Sequence, residues 1–526
     1  MTTLSPRSPY TPEELEKLYP KGLQLQLVQI LLRHGERTPV SPRFQNAGLP
    51  PYWPYCNAAK QLTSTIMSSL DGTQFDDMQW RRRLETFGPD DGPVVAAGPK
   101  GQFDGICNAG ELTDKGRETT LALGQRIRHL YVEQLGFMPK VLEDADMIYL
   151  RATPIPRALE SVQQAFWGMY PPSARVANFP PPTIITRTPA DETLFPNDSN
   201  CRRFARLSRA FGQRAAGRWN DSDDMKYMNK LIGKWMPETS PVVKVDSHPR
   251  LSGIMDTVNA TLAHGSQTML PKEFYDKRAI SIIDKVNVEE WFAGYTESNE
   301  YRTLGIGGLM GDIVARMVGS VEKSGNDGLI EVGGEDGRLG QGRGGEKDIK
   351  FALSGCHDTT LAGMLASLGA FEGEKWPPYT SSIAVELFRE TRPDLVSSTP
   401  STLPISIPQG EPKPQSWFSS FFGRNSIISP NPSTIPGIAR KPIDTLSKDD
   451  QAKLDSYYVR LRYNDRPMTI PGCKLPGNHL EGDKSFCTLK AFKGIVDKYT
   501  PRNWKKACFE SIDRAEFPVE VEPAGY

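Results

Sequence analysis

The chain of 526 residues carries no net charge, because lysine and arginine together number 63 and aspartate and glutamate also number 63. A balanced charge gives no support to a protein that wraps nucleic acid or grips an anionic membrane through a polybasic surface. We therefore expect no nucleic acid among its partners. Any affinity for an anion must come from a local cluster of cationic side chains.

Long apolar runs are also missing, and none approaches the roughly 20 residues of a transmembrane helix. The first 20 residues contain Glu13, Glu14 and Glu16 and no apolar core, so they resemble neither a signal peptide nor an arginine-rich transit peptide. We expect no transmembrane segment and a cytoplasmic location, with a mitochondrial location as the alternative.

Cysteine is scarce as well, since the chain has seven, an odd number, without the spacing of a metal site. This pattern predicts mostly reduced thiols in an intracellular protein and no cysteine-bound metal. Three N-x-S/T sequons, at Asn197, Asn220 and Asn259, would matter only in a secreted chain.

What the sequence does contain is a strand that ends in a polar cluster. Residues 23–32 begin with alternating apolar side chains and then become mostly apolar, which predicts a strand buried on both faces at its end. Arg33, His34 and Arg37 follow directly, in the sequence RHGERTP. In an open α/β sheet, ligands bind at the carboxyl ends of the strands. The alternative is a surface turn whose basic side chains are only solvated.

Two later strands end in the same way. Residues 146–150 form a predicted strand with Arg151 at its end, and residues 349–354 form another that leads to His357 and Asp358. If the three strands are parallel neighbours, their carboxyl ends face one crevice. That crevice would hold three guanidinium groups, two imidazoles and one carboxyl group.

This set of side chains suits chemistry on a phosphoryl group. Arginine forks match the tetrahedral oxygens of phosphate and can follow its charge into the transition state. A neutral histidine can take the phosphoryl group as a nucleophile, and a carboxylic acid can protonate the leaving oxygen. Neither a metal ion nor a glycine-rich phosphate loop is needed. The alternative role of Asp358 is a helix cap, with His357 as a buried hydrogen-bonded residue.

The rest of the chain predicts an α/β core with an inserted helical module. We assign residues 21–169 and 347–526 to a discontinuous core with a mostly parallel central sheet flanked by helices, and residues 170–323 to an α-helical cap. Helices are expected over 60–70, 202–219, 252–264 and 288–321, and further strands over 383–389 and, at a sheet edge, 457–464.

Two segments have the composition of flexible chain. Residues 324–346 are rich in glycine and charge, and residues 391–447 are rich in proline and serine. We expect a flexible loop and a disordered insertion. Four aromatic residues of the insertion form a cluster for weak contact with a membrane or a partner: Trp417, Phe418, Phe421 and Phe422. The alternative is that they pack back onto the core.

Five motifs together resemble the histidine acid phosphatases, branch two of the histidine phosphatase superfamily. Residues 33–39 are similar to that family's RHGxRxP signature, residues 151–158 to its RSTxxxRT block with alanine in place of serine, and residues 357–360 to its HDTT block. The segments GELTDKG and LGIGGLMGDI, which begin at Gly110 and Leu304, resemble family segments in the same order. The likeness extends from about residue 23 to residue 508. Residues 190–197 further resemble the intracellular lysophosphatidic-acid-phosphatase type.

The resemblance implies a phosphoglycerate-mutase-like fold and a metal-independent acid phosphatase without a cofactor. By that likeness His34 is the nucleophile that accepts the phosphoryl group, and Asp358 is the proton donor. The residues that would bind the phosphoryl oxygens are Arg33, Arg37, Arg151 and His357. Cys473 and Cys487 fall where secreted relatives have a disulfide, but without a signal peptide we expect free thiols. We expect Cys356 only to pack.

The expected substrate is a small phosphomonoester, such as lysophosphatidic acid. A phosphomutase shares the histidine chemistry, but an acid directly after the second histidine is typical of the phosphatase branch. A phytase would be expected to line its pocket with further basic residues. The non-enzymatic alternative is a pseudo-phosphatase that recruits partners through its proline-rich insertion, although every expected catalytic residue is present.

Overall fold

A mixed sheet forms the centre of the computed structural model, which describes residues 2–323, 349–391 and 437–526. The strands are β1 (Leu23–Arg33), β2 (Leu62–Met67), β3 (Phe75–Trp80), β4 (Glu85–Phe87), β5 (Pro93–Val95), β6 (Ile148–Ala152), β7 (Ile184–Ile185), β8 (Phe351–Cys356), β9 (Ser382–Glu390), β10 (Tyr457–Tyr463), β11 (Arg466–Met468), β12 (His479–Leu480) and β13 (Asp483–Thr488). The glycine-rich loop predicted over 324–346 and the aromatic cluster at 417–422 lie outside the described residues.

Helices cover both faces of this sheet. They are α1 (Pro12–Leu18), α2 (Asp114–Arg128), α3 (Pro156–Met169), α4 (Arg202–Trp219), α5 (Asp223–Ile232), α6 (Leu251–His264), α7 (Lys277–Glu297), α8 (Asn299–Arg302), α9 (Gly308–Glu322), α10 (Asp358–Ser367), α11 (Lys448–Ala452), α12 (Leu489–Asp497) and α13 (Trp504–Phe509). The helices predicted over 202–219 and 252–264 are confirmed to within one residue.

The order of the sheet is β12-β13-β10-β9-β1-β8-β6-β7, with β11 paired to β10. The strands β1, β8, β6 and β7 are parallel, and β9, β10 and β13 extend the sheet with antiparallel pairing. The predicted α/β core with a mostly parallel sheet is confirmed. The prediction that residues 457–464 form a sheet edge is wrong, because β10 lies between β9 and β13. Its arginines suggest exposure but are buried against a glutamate of β9.

The three polar strand ends meet at one edge of the sheet, as the sequence predicts. Arg33 at the end of β1 pairs with Cys356 on β8, and Ala152 on β6 pairs with Gly355. The turn after β1 also presses against the start of α2. A Cβ atom on Gly35 would lie 2.3 Å from the carbonyl oxygen of Gly116, so only glycine fits between the two backbones.

The helical region after α3 joins the core on the other face of the sheet. The helices α4, α7, α9 and α10 share one apolar cluster with β1, β8 and β9, while α5, α6 and the first half of α7 form a second cluster with Phe44 and Trp53. The run Asn299–Glu322 is long and apolar enough to cross a membrane, with a mean hydropathy of 1.3, but 67% of its most apolar 18-residue window is buried inside the fold. Burial of this extent is typical of a helix in the core of a folded domain. The domain boundaries stay predictions.

Two local predictions are wrong. Residues 60–70 do not form a helix, because β2 pairs with β3 in an exposed hairpin whose Thr63, Thr65 and Ile66 favour extended backbone. The prediction of a disordered segment over 391–447 is also wrong in part, and residues 392–436 of this segment lie outside the described residues. The last part of the segment is ordered from residue 437, since Ile438 and Ala439 are buried in the core.

The prediction of mostly reduced thiols is also wrong. Three disulfides join residues that the fold brings together from 14 to 307 positions apart in the sequence: Cys56–Cys107, Cys201–Cys508 and Cys473–Cys487. Spacing along the chain could not reveal these pairs. Disulfides are typical of oxidising compartments. The cytoplasmic location stays a prediction, and the three bonds argue against it.

Candidate active site

His34 lies directly after the last residue of β1. Its backbone N–H donates to the carbonyl oxygen of Cys356 at 3.1 Å, and the backbone N–H of Arg33 donates to the carbonyl oxygen of Ser381 at 2.8 Å. Residues on both sides of β1 therefore hold this turn in place. The imidazole is 1% exposed, and its Nδ1 lies 2.9 Å from the carbonyl oxygen of Gly35. With a proton on Nδ1 donated to that oxygen, Nε2 keeps its lone pair.

The surroundings of His34 keep its imidazole neutral. Burial lowers the pKa of His34 well below its usual value, and the positive charges of Arg157, Arg33 and Arg37 lower it further. A neutral ring with a free Nε2 lone pair is competent as a nucleophile. The site therefore fits the role that the sequence predicts for this residue.

The Arg33 guanidinium is held on three sides. Its Nη2 lies 2.7 Å from Oδ2 of Asp358, its Nη1 donates to the carbonyl oxygen of Pro377, and its central carbon lies 4.2 Å from the centre of the Tyr379 ring. The side chain is almost fully buried. These contacts set the plane of the guanidinium fork before any ligand arrives.

Arg37 is held by a carboxylate from the helical region. Its Nη1 lies 2.6 Å from Oδ1 of Asp256 on α6 and 3.0 Å from the carbonyl oxygen of Thr38. The other oxygen of Asp256 accepts from Arg43 at 3.2 Å and from the backbone N–H of Val40 at 3.0 Å. One carboxylate thus orients two arginines of the loop that follows His34.

His357 occupies the N-cap position of α10 and faces His34. The centres of the two imidazole rings are 5.4 Å apart, and Nε2 of His357 lies 3.1 Å from Oγ1 of Thr153. Burial lowers the pKa of His357 to about 3, with a further contribution from Arg157. A neutral imidazole here can donate one hydrogen bond to a phosphoryl oxygen.

Asp358 is the first residue of α10 and is not its N-cap. Its Oδ2 accepts from Nε1 of Trp376 at 3.0 Å and pairs with Arg33, while Oδ1 accepts from the backbone N–H of Thr359 at 2.8 Å. Burial raises the pKa of this carboxyl group, but Arg33, Trp376 and Arg37 outweigh burial and lower it. Without a ligand, Asp358 is therefore ionised.

Arg151 does not lie with these groups, although the sequence predicts it as a phosphoryl ligand. Its Nη2 lies 2.5 Å from Oε1 of Glu192 and 3.1 Å from Oγ1 of Thr193, and its Nη1 lies 3.7 Å from Asp312. Two carboxylates therefore occupy its guanidinium. Arg151 thus belongs to an ion network with Glu192 and Asp312.

Arg157 is the arginine of the RATPIPR motif whose charge acts on His34 and on Arg37. It lies six residues after Arg151, in the first turn of α3, and among the described residues its guanidinium makes one long hydrogen bond, of 3.4 Å, to the carbonyl oxygen of Gly110. Burial, followed by the charge of Arg37, lowers the pKa of Arg157 to about 10, and its charge acts strongly on His34. In the sequence, Arg157 is the second arginine of this motif. The prediction missed it because it considered only polar residues at the ends of strands.

A pocket of about 430 Å³ opens in front of Arg33, Arg37 and Asp358. Its wall is mostly apolar and aromatic, formed by Val40, Pro249, Met255, Trp291 and Trp376. Another cation of the lining, Arg250, is paired with Glu290. We call these five apolar residues the pocket wall.

The charges around this pocket do not balance. Four arginines, which we call the arginine cluster, share two carboxylates: Arg33, Arg37, Arg43 and Arg157 face Asp256 and Asp358. With both histidines neutral, the site has a surplus of two positive charges. A phosphomonoester dianion carries the charge that neutralises this surplus.

Several other reactive side chains have no role in this site. Cys356 is fully buried, and burial raises the pKa of its thiol to about 12, which fits the predicted packing role. His129 lies on the surface with Glu133 at 2.9 Å. Within the described ranges, no three histidine, cysteine, aspartate or glutamate side chains come together as a metal site.

The sequence pattern of the histidine phosphatase superfamily (branch 2) matches residues 24–400, well over half of the chain. The chain belongs to this family. A probable acid phosphatase of Schizosaccharomyces pombe is 34% identical to it over 490 residues, which cover 93% of this chain and 95% of that protein. The chain is therefore a histidine acid phosphatase, a hydrolase of phosphoric monoesters.

Two weaker similarities accompany this match. Lysophosphatidic acid phosphatase type 6 of Homo sapiens is 24% identical over 382 residues, covering 70% of this acid phosphatase and 74% of that protein. The phytase of Hafnia alvei aligns with a TM-score of 0.50 at 13% identity, covering 93% of this chain and 99% of the phytase. At that identity, the structural likeness shows the fold alone.

Proposed function

We propose that this histidine acid phosphatase hydrolyses small phosphomonoesters through a phosphohistidine on His34, without a metal ion. The observation that carries the proposal is the neutral, buried imidazole of His34 beside a surplus of two positive charges. The arginine cluster supplies charge stabilisation to the transferring phosphoryl group, and in a buried site that stabilisation is large.

In the first step, Nε2 of His34 attacks phosphorus, and the bond from phosphorus to the ester oxygen breaks. Arg33, Arg37 and Arg157 bind the other phosphoryl oxygens together with His357. The carboxyl group of Asp358 gives its proton to the leaving oxygen, so that an alcohol departs and the phosphohistidine remains.

This step requires a protonated Asp358, although the carboxyl group is ionised in the free site. A substrate dianion that binds Arg33 weakens the pair between Arg33 and Asp358 and adds a negative charge beside the carboxylate. Both changes raise the pKa of Asp358 and favour the acid form. A low pH also favours the acid form of Asp358.

In the second step, water attacks phosphorus and the bond from phosphorus to Nε2 breaks. Asp358, now a carboxylate, accepts a proton from that water, and inorganic phosphate forms. His34 returns to the neutral imidazole, and Asp358 returns to the acid form.

The pocket wall supports an apolar leaving group over a polyphosphate. One phosphoryl dianion neutralises the charge surplus, and Arg250 is already paired with Glu290. A substrate with several further phosphates, such as that of a phytase, would need additional unpaired cations. Trp291 and Met255 instead suit an acyl or aryl group. We therefore propose lysophosphatidic acid, or another monophosphate ester with an apolar leaving group, as the substrate.

The test is turnover by the purified enzyme in EDTA of p-nitrophenyl phosphate, lysophosphatidic acid and myo-inositol hexakisphosphate. We expect EDTA to leave the activity unchanged, and we expect kcat/KM to be highest for lysophosphatidic acid. Trp291→Ala should lower that value while changing the value for p-nitrophenyl phosphate less. Activity that is lost in EDTA and restored by a metal ion would contradict metal independence. A preference for inositol hexakisphosphate would favour a phytase.

A further inference from the structure

We propose that the buried ion pair of Arg151 and Glu192 positions His357 and Asp358 for catalysis, by holding the loop at 192–195 against the start of α10. The inference rests on the proposed function, because it concerns the orientation of two groups of that site. Arg151 would then act through other residues, without touching the substrate.

The pair fixes the backbone of the loop as well as two charges. Arg151 is 2% exposed and Glu192 is fully buried. The Oε1 atom that accepts from Arg151 at 2.5 Å also accepts from the backbone N–H of Thr193 at 2.8 Å and of Leu194 at 2.7 Å. A single carboxylate oxygen thus gathers three donors, and the arginine fixes its position.

The loop then contacts the site through both backbone and side chain. The carbonyl oxygen of Leu194 accepts from the hydroxyl of Thr360, and the same hydroxyl oxygen accepts from the backbone N–H of His357 at 3.3 Å. The ring of Phe195 meets the ring of His357 edge to face, with centres 5.9 Å apart. The position of His357 and of the adjoining Asp358 therefore depends on where residues 194 and 195 lie.

A purely structural role would be served equally well by apolar side chains. A buried ion pair can often be replaced by apolar groups of similar size at little cost in stability. Apolar side chains would not, however, accept from the N–H groups of Thr193 and Leu194. The function that depends specifically on the carboxylate is therefore the geometry of the loop.

The test uses the double variant Arg151→Met/Glu192→Leu in the full chain. We expect its melting temperature to fall, because the backbone N–H groups of Thr193 and Leu194 lose their acceptor. Per folded molecule, kcat/KM for an alkyl phosphate should fall by about 10- to 100-fold, the size expected for a displacement on the order of 1 Å. The loss on p-nitrophenyl phosphate should be smaller, because its leaving group needs little help from Asp358. Inhibition by inorganic phosphate should weaken less than turnover, since His357 is displaced but Arg33, Arg37 and Arg157 are intact. Wild-type turnover of the alkyl ester, or an equal loss on both esters, would overturn the proposal.

Single variants keep the test decisive if the double variant fails to fold. Arg151→Lys keeps a charge for Glu192 and should recover much of the activity that Arg151→Met loses. If the two variants had equal activity per folded molecule, the proposal would be wrong. The matched control is Arg440→Gln, which removes a half-exposed arginine whose Nη2 lies 2.9 Å from the carboxylate of Asp312. Its kinetics should match the wild type.

These measurements remain distinct from the test of the proposed function. A wild-type enzyme that forms no phosphohistidine would refute the function, whereas the difference between the alkyl and aryl esters would still report whether the ion pair orients Asp358. A wild type with a phosphohistidine and a fully active double variant would refute only the positioning role.

Discussion

Two buried clusters of arginine in this enzyme have opposite consequences. In the sheet, Arg460 and Arg462 of β10 lie 2.7 and 3.3 Å from the same oxygen of Glu386 on β9. The hydroxyls of Tyr19 and Tyr131 donate to its other oxygen at 2.7 and 2.8 Å. Burial raises the pKa of Glu386, but the two arginines outweigh it and lower the pKa to about 2.

The sheet cluster is balanced in charge, and the active site is not. Asp465 lies 3.7 Å from Arg462, so two arginines face two carboxylates in the sheet. In the active site, the arginine cluster exceeds its carboxylates by two. A cluster of buried arginines therefore indicates a binding site where its summed charge exceeds that of the carboxylates it faces. Two arginines six residues apart show the same contrast: Arg151 is paired with the carboxylate of Glu192, whereas Arg157 makes a long hydrogen bond to a carbonyl oxygen.

Removing the carboxylate from the active site should affect catalysis most. Asp358→Ala should slow phosphoenzyme formation from an alkyl phosphate by ~10²–10⁴-fold, since the poor leaving group needs the proton. The loss on p-nitrophenyl phosphate should be distinctly smaller. Stability should also fall, because the almost fully buried Arg33 loses its paired carboxylate. Single-turnover rates on the two esters, with a melting curve, measure this. Equal slowing on both esters would mean that another group is the acid.

Removing the carboxylate from the sheet should instead affect stability. Glu386→Gln leaves Arg460 and Arg462 without their shared anion in a buried site, and such a loss costs about 3–5 kcal/mol. Denaturant unfolding measures this change. Activity per folded molecule should equal that of the wild type below the transition. An intact stability would show that the tyrosines and water satisfy the two arginines without the carboxylate.

Replacing Arg157 tests the comparison by removing part of the surplus positive charge from the active site. Arg157→Ala should lower kcat by about 10²–10³-fold, as expected when one group that stabilises transition-state charge is lost. The free energy of unfolding should not fall, because a buried charge without a matching carboxylate is removed. Arg151→Ala should cost stability instead, since it leaves Glu192 unpaired. If Arg157→Ala and Arg151→Ala changed kcat and the free energy of unfolding to the same extent, the distinction between the two arginines would be wrong.

The last expected effect is on the pH dependence of stability. Both His34 and His357 have pKa values below their unfolded values, so the unfolded chain binds more protons than the folded chain. The free energy of unfolding should therefore fall as the pH drops from about 6.5 to about 4.5, by about 1.4 kcal/mol per pH unit for each histidine. His357→Gln should remove about half of this slope in phosphate-free buffer. An unchanged slope would show that His357 titrates normally.

Much of the site could be predicted because its residues follow one another in the sequence. The buried strand β1 leads straight into Arg33, His34 and Arg37, and β8 leads into His357 and Asp358, so local pattern and the rule of strand ends suffice. The amphipathic helix α4 was predictable for the same local reason.

The remainder depends on partners that are distant in the sequence. Arg151 stands at a strand end, as a ligand residue would, but Glu192 lies 41 residues later and pairs with it. The arginines of β10 have the alternation of an exposed edge, but Glu386 makes them internal. Cys201 and Cys508 likewise show no relation until the fold brings them together. A local pattern carries no information on such pairs.

The covalent role of His34 is tested most directly by trapping the intermediate. The enzyme is mixed with a ³²P-labelled phosphomonoester, quenched within milliseconds, and assayed for protein-bound label in the wild type and in His34→Ala. We expect acid-labile, base-stable phosphate on the wild type only, together with loss of turnover in the variant, because no other group replaces the nucleophile. Label that persists on His34→Ala, or rapid turnover by that variant, would contradict the account.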